Sequence, residues 1–334
     1  MADKVKILII RFSSIGDIVL TSPVVRCLKQ QLEGDSEIHF ITFSKYASIL
    51  EYNPYIHQIH AVDELSSMVI NELKSIGFDY VIDLHHNLRS MRLKSKLKVL
   101  SFSFNKLNPL KWLLVNFKIN RLPDLHIVDR YMDTIKALGI SYDGKGLDYF
   151  LPDQMEDPKL PEDLGQYTAL VLGATHATKR PSDEHFKKLA SLISTPIVII
   201  GGPEEKALGE SLAGIDQKRI INTAGKTNLH ESALLIKNSQ LVITPDTGMM
   251  HIAAAFNKDI VSIWGNTVPD FGMYPFLRSD DPAESEIHQV DGLSCRPCSK
   301  IGFKKCPKGH FKCMEDQDWE AIAEGANKRI EARS

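Results

Sequence analysis

Two stretches of this sequence place chemically capable residues where a strand runs into a helix. In LVITPDTGMMHIAAA, residues 241–255, an apolar run ends at Pro245, Asp246-Thr247-Gly248 follows, and an alanine-rich helix begins at once. Backbone N–H groups of Gly248, Met249 and Met250 and the positive helix end would make an anion site there. Diphosphate suits it. Gly248 allows close backbone approach, the Thr247 hydroxyl can donate to a phosphate oxygen, and His251 in the first turn can reach the same group. The alternative is that Asp246 and Thr247 only cap the helix, which leaves Gly248 and His251 without a reason. The second stretch is RFSSIGDIVLTSP, residues 11–23. Its Asp17 is suited to take a proton from an attacking hydroxyl, or equally to face a helix dipole as a first-turn carboxylate.

Three further signals are weaker. Lys179 closes the loop GATHATK and could neutralise a leaving diphosphate; a solvated lysine is the alternative. Gly201-Gly202-Pro203-Glu204 offers a carboxylate for ribose hydroxyls, or simply a tight turn with an acidic helix start. Residues 84–123 carry nine Lys/Arg and no Asp or Glu, interleaved with Phe102, Phe104, Trp112 and Phe117. That pattern suits an anionic, partly apolar partner such as an acidic lipid surface; nucleic acid is a less favoured partner, and a helix with a solvated basic face is the structural alternative.

Cys295, Cys298, Cys306 and Cys313 form C-x2-C-x7-C-x6-C with His310 between the last two, a possible structural zinc site or a packed group of reduced thiols. G-x-G-x-x-G follows no strand, and Ala224-Gly225-Lys226-Thr227 lacks the earlier P-loop glycine, its position being Ile220. A net charge of −2 excludes a generally basic nucleic-acid binder. No apolar run is long enough to span a bilayer, and the apolar start reads as a strand rather than a signal peptide, so the expected location is the cytoplasm.

These residues need elements to hold them. At 334 residues the chain suggests two domains. Apolar runs at residues 5–10, 38–42, 59–62 and 80–84 predict strands, with helices over about 20–32, 47–52, 65–76 and 128–138. A polar stretch at 152–165 predicts a linker. The rhythm restarts with strands at 170–172, 196–200, 220–221, 241–244 and 260–263, helices at about 182–193, 204–213, 230–238 and 249–256, and a last helix at 317–332. The fold class is therefore α/β, with two parallel-sheet domains.

Taken together, the residues resemble the ADP-heptose:lipopolysaccharide heptosyltransferase family, glycosyltransferase family 9. RFSSIGDIVLTSP, DLHHNLRS (83–90), HIVDRY (126–131), the Lys179 loop, GGPEE (201–205), AGKTNL (224–229), PDTGMMHIAAA (245–255) and the cysteine segment carry the likeness, in order, across nearly the whole chain. The resemblance implies a GT-B architecture of two Rossmann-like domains facing across a cleft. Residues 1–155 would bind acceptor, residues 166–315 would bind nucleotide sugar, and a helix in 316–334 would return toward the first domain. It implies inverting, metal-independent transfer of heptose from ADP-heptose to a lipopolysaccharide inner-core acceptor carrying Kdo or heptose on lipid A, at the inner face of the cytoplasmic membrane, with no nucleic acid involved. Asp17 would be the base. Thr175, Lys179, Glu204, Asp246, Thr247, Gly248, Met249 and His251 would bind donor, and Arg11, Ser13, His85, Asn87 and Arg89 acceptor. The segment Lys179-Arg180-Pro181-Ser182 departs from the family pattern, which often has an aromatic residue before the proline. Alternatives are a GT-B transferase or epimerase using another nucleotide sugar, or a non-catalytic nucleotide-sugar or lipid-surface binding protein.

Overall fold

The computed structural model describes residues 4–333. The chain divides into two compact units: everything up to Lys106 together with Leu125–Pro152, and Leu107–Asp124 together with everything from Asp153 onward.

The first unit holds five parallel strands, β1 (Val5–Ile10), β2 (Ser36–Phe43), β3 (Gln58–Val62), β4 (Tyr80–Asp83) and β5 (Leu100–Ser103), in the order β3-β2-β1-β4-β5. Ile7 to Ile10 are fully buried, as the continuous apolar run of a central strand covered on both faces requires. Helices α1 (Ile15–Val19), α2 (Ser22–Gln31), α3 (Ser67–Ile76) and α4 (Leu88–Leu97) follow strands or turns in chain order. Ser66 caps α3 by accepting from the Val69 N–H, and Gly77, at φ 73°, ends it in a left-handed conformation. Buried Arg26 on α2 makes a two-pronged contact with Asp143 at 2.8 and 2.9 Å and pairs with Asp148, fastening α2 to the chain just before the inter-unit crossing.

Helix α5 (Asn108–Phe117) belongs to the second unit, and α6 (Ile127–Met132) follows it in the chain. The second sheet contains β6 (Thr168–Val171), β7 (Ile197–Ile200), β8 (Ile220–Asn222), β9 (Leu241–Pro245), β10 (Asp259–Trp264) and β11 (Ser285–Gln289), all parallel, in the order β11-β10-β9-β6-β7-β8. Its helices are α7 (Asp183–Leu192), α8 (Lys206–Ala213), α9 (Leu229–Asn238), α10 (Gly248–Ala255), α11 (Lys312–Glu315) and α12 (Trp319–Arg333).

Several expectations need adjustment. Residues 107–124, expected in the first domain, pack on the second unit, because Leu114 joins Val268 and Phe271 with Val115 and Leu122 against them. The Lys118 ammonium adds hydrogen bonds to the carbonyls of Pro297, at 2.7 Å, and Cys295, at 3.3 Å. The last helix buries Trp319, Ile322, Ala323, Ala326 and Ile330 in the second unit's core, and Arg333 pairs with Asp259 at 2.8 Å. β5 and β11 went unpredicted. The helix expected at 47–52 is a 3-10 turn over Ser44–Leu50, and the one expected at 128–138 ends at Met132, with a separate 3-10 turn over Lys136–Leu138. Among the described residues, no helix is long and apolar enough to cross a membrane.

In each sheet the strand order reverses beside the first strand. The reversal lies between β1 and β4 in one and between β6 and β9 in the other. Loops leaving the carboxyl ends of strands at such a point flank a crevice that suits a ligand. Both chemically capable stretches leave their sheets there.

Candidate functional site

In the first unit, β1 delivers Arg11 and Asp17, and β4 delivers Asp83 and His85. Arg11 is buried, and its guanidinium is fully engaged. Nε donates to the Ser13 carbonyl at 2.6 Å, and Nη1 donates to the Leu84 carbonyl at 2.6 Å and the Tyr131 hydroxyl at 2.9 Å. Nη2 lies 2.6 Å from Asp17 Oδ1. Burial opposes the Arg11 charge, but Asp17, Tyr131 and Asp83 outweigh it and hold the guanidinium above its usual value. Asp17 is the third residue of α1, and its other oxygen accepts from the Ser14 hydroxyl at 2.8 Å and the Ser14 N–H at 3.3 Å. The carboxylate is thus held from two sides while its side chain stays 22% exposed. It fills a helix-start role and stays partly exposed, so neither reading of Asp17 excludes the other.

Asp83 is fully buried. Its Oδ1 accepts from the His85 and His86 N–H groups, shaping the turn after β4, and Lys94 sits 2.9 Å from Oδ2. The His85 ring packs edge-on to Phe12, and its Nδ1 has no hydrogen-bond partner among the described residues. Burial, with Arg11 and Lys106 nearby, pushes His85 down to about 4, so the imidazole is neutral at physiological pH. Asn87 caps α4, its Oδ1 accepting from the Arg89 and Ser90 N–H groups. Arg89 is exposed and lies over the Phe43 ring at 5.4 Å. Ser13 contributes its carbonyl to Arg11. The five residues expected to bind acceptor therefore follow two paired strands, β1 and β4, with Arg89 in the first turn of α4 and Asn87 as its cap.

In the second unit, β6 delivers the Lys179 loop and β9 the residues 246–251. Lys179 Nζ lies 2.6 Å from Asp246 Oδ2, which also accepts from the Thr267 hydroxyl at 2.8 Å. Asp246 thereby aims Lys179 beside the start of α10. Thr247 is the cap of α10, its Oγ accepting from the Met249 N–H at 3.1 Å. The Met249 N–H is therefore engaged in the structure, while the Thr247 hydroxyl proton can still be donated to a ligand. His251 is buried in the same helix. Thr175 is exposed on the loop that carries Lys179.

The cysteine-rich segment braces this loop. The Phe303 N–H donates to the Thr178 hydroxyl at 2.8 Å, and the Thr178 N–H to the Phe303 carbonyl at 3.2 Å. Arg296 donates to the carbonyls of Gly265, at 2.6 Å, and Thr267, at 2.8 Å. The possible four-thiolate zinc site is not formed: among the described residues, no three of its Cys and His ligand atoms gather within 4.8 Å. Cys295 Sγ sits 3.9 Å from His310 Nε2. Burial pushes the Cys313 thiol up to about 12 and raises that of Cys298, so both are protonated at neutral pH. The reason is placement, for Cys313 is buried on α11 while the other three lie half-exposed in loops.

Sequence reasoning missed several residues. Glu204 is exposed, whereas its neighbour Glu205 is buried, accepts from the Gly202 N–H at 2.9 Å and lies 3.6 Å from Arg180. A Cβ on Gly173 would come within 3.2 Å of Glu205 Oε2, so the β6 and β7 loops meet around this carboxylate. The spacing Gly202-x-x-Glu205, in which the third helical residue reaches back to the cap, was the available signal. Tyr131 ends the segment HIVDRY, but nothing local links it to Arg11, and Thr267 gave no signal, because their partners are distant in sequence.

The model of glycosyltransferase family 9 (heptosyltransferase) matches residues 67–327. The chain is 26% identical over 291 residues to lipopolysaccharide heptosyltransferase 1 of Campylobacter coli, covering 78% of this chain and 84% of that one. Among solved structures it is similar to a family 9 glycosyl transferase from Veillonella parvula, with TM-score 0.74, 21% identity and 99% of both chains covered. It is also similar to an Escherichia coli heptosyltransferase solved with ADP-2-deoxy-2-fluoro heptose, with TM-score 0.61, 20% identity, and 98% of this chain and 100% of that one covered. The structural likenesses show the GT-B fold class, two parallel-sheet α/β domains. With the family match over most of its length, this chain belongs to glycosyltransferase family 9 and is a glycosyltransferase.

Proposed function

We propose that the protein transfers heptose from ADP-heptose to an anionic lipopolysaccharide inner-core acceptor, with inversion and without a catalytic metal. The observation that carries this reading is the pair of switch points. One presents an oriented carboxylate beside a neutral imidazole, and the other presents a lysine at the start of a helix. The relatives' names supply the donor and acceptor classes.

The acceptor hydroxyl attacks the anomeric carbon as the bond to the ADP oxygen breaks, and the hydroxyl proton passes to Asp17. Arg11 and Ser14 hold that carboxylate in place, so its orientation costs nothing further on binding. A strong base is unnecessary, because the hydroxyl acidifies as its new bond forms. Neutral His85 can accept a hydrogen bond from the acceptor, and Arg89 can meet its anionic groups. Charge gathering on the departing diphosphate is stabilised by Lys179, the α10 N-terminus and the Thr247 hydroxyl, which supply what a divalent cation supplies elsewhere. Met249 and His251 complete the donor side. Glu204 or buried Glu205 would serve the ribose, and Thr175 the phosphates.

The basic segment fits an acidic lipid surface. Lys94 and Lys118 are tied up internally, but Trp112 and Phe117 are 54% and 59% exposed and meet edge-on at 5.4 Å. An aromatic pair beside cations suits the headgroup boundary, giving a peripheral place at the inner face of the cytoplasmic membrane.

Asp17→Asn tests the base. Transfer should be abolished while ADP affinity stays within a few fold of wild type, measured by calorimetry. Surviving turnover would remove Asp17 from the role.

A further inference from the structure

Away from both switch points, the first sheet gathers four ionisable side chains that the reaction does not use. Glu37 and His39 lie two residues apart on β2 and so share one face of the sheet. His57 immediately precedes β3, and its N–H donates to the Ile38 carbonyl at 2.8 Å, which fixes it beside them. His60 lies on β3 itself.

Glu37 Oε2 is 3.9 Å from the Nε2 of both His39 and His57. One ligand atom from each of Glu37, His39 and His57 lies within 4.8 Å of the others. His39 is only 3% exposed, yet its Nε2, turned toward this group, has no hydrogen-bond partner among the described residues. A buried imidazole nitrogen without a partner is costly unless something occupies that position.

The other ring nitrogen shows what that occupant would be. His39 Nδ1 lies 3.0 Å from His60 Nε2. With the proton on Nδ1 and donated to His60, the Nε2 lone pair points at Glu37 and His57, the arrangement by which an outer neighbour orients a metal-binding imidazole. Phe78 packs edge-on to both His39, at 5.1 Å, and His60, at 6.5 Å, and holds the two rings in place. Glu37 divides its oxygens, with Oε1 3.6 Å from Lys4 and Oε2 facing the imidazoles.

We propose that Glu37, His39 and His57 form a binding site for one divalent transition-metal ion of the zinc class, with His60 orienting His39. Two imidazoles and one carboxylate favour zinc, cobalt, nickel or copper over magnesium or calcium. Tetrahedral ligands about 2.0–2.1 Å from zinc stand roughly 3.3 Å apart. The observed 3.9 Å separations therefore close by about half an ångström, and His57, half-exposed at 52%, and Glu37 can move that far. The ion would tie β2 to the chain entering β3. In the β1–β2 register His39 lies opposite Leu8, three residues before Arg11, so the role is structural and separate from transfer.

The test uses the untagged full chain, stripped of metal and titrated with Co2+. Visible d–d bands without thiolate charge transfer are expected, which separates this site from the cysteines. His57→Ala changes an exposed side chain and should leave the metal-free melting temperature within about 1 °C, since surface changes are usually small. It should weaken binding by more than the roughly 10- to 100-fold that an outer-ligand change costs, with His60→Ala falling inside that range. Added Zn2+ should raise the melting temperature of wild type and not of His57→Ala. Equal Co2+ affinity in wild type and His57→Ala would overturn the site, as would a cobalt spectrum carrying only thiolate bands.

Discussion

Replacing Lys179 with alanine separates a structural contact from a chemical one. In the wild type its ammonium is 2.6 Å from Asp246 Oδ2, with the two side chains only 17% and 9% exposed. Removing it leaves Asp246 with the Thr267 hydroxyl but no opposing charge. Breaking a buried pair from one side costs about 3–5 kcal/mol, and the partial exposure of Lys179 reduces this to roughly 2–4 kcal/mol. For a unit of this size, at about 2–4 °C per kcal/mol, the melting temperature should fall by roughly 4–16 °C. If Lys179 meets the leaving diphosphate as proposed, losing its charge should also cut kcat/KM by about 100- to 1000-fold. Adding Asp246→Asn removes the orphaned charge, so the double variant should regain most of the lost thermal stability and none of the activity. Differential scanning calorimetry and steady-state transfer kinetics on the three proteins read both effects. Were the double variant to recover activity as well, Lys179 would serve only to neutralise Asp246, and its role toward the donor would be refuted.

His85 gives a pH dependence. Its pKa in the folded chain is about 4, against 6.5 unfolded. The unfolded chain alone binds that proton in this window, so stability is greatest above 6.5 and falls as pH drops toward 4. The slope is at most about 1.4 kcal/mol per pH unit, less for the ring's partial exposure. Urea midpoints across the window should fall more gently in His85→Gln than in wild type; equal slopes would contradict this. Trp112→Ala with Phe117→Ala should weaken sedimentation with acidic vesicles by about tenfold or more while leaving neutral vesicles and ADP binding unaffected.

Much of the architecture was legible because central strands must be apolar on both faces. VKILII, LVIT and IVSI marked β1, β9 and β10 directly. Two of the four edge strands, β5 and β11, were hidden for the same physical reason. LSFS and SEIHQ are half-exposed and mix polar with apolar residues, so they show no buried run. Which unit holds residues 107–124 was illegible, because it rests on Leu114 meeting Val268 and Phe271 about 150 residues later. The candidate site divides likewise. Strand, small polar loop and helix start are local, and they exposed Asp17, Lys179 and the 246–251 loop. That Arg11 would bind Tyr131, 120 residues away, was not local. For Glu204-Glu205 the signal was present but faint, since only the capping spacing Gly202-x-x-Glu205 marks which acid reaches back to the turn.

The most direct measurement incubates the purified protein with ADP-heptose and a Kdo-bearing lipid A acceptor, then analyses products by mass spectrometry and NMR. Addition of one heptosyl unit, with release of ADP, an inverted anomeric linkage and full activity in EDTA, is the predicted result. Absence of heptose transfer from ADP-heptose, with transfer from a UDP- or GDP-sugar instead, would contradict it.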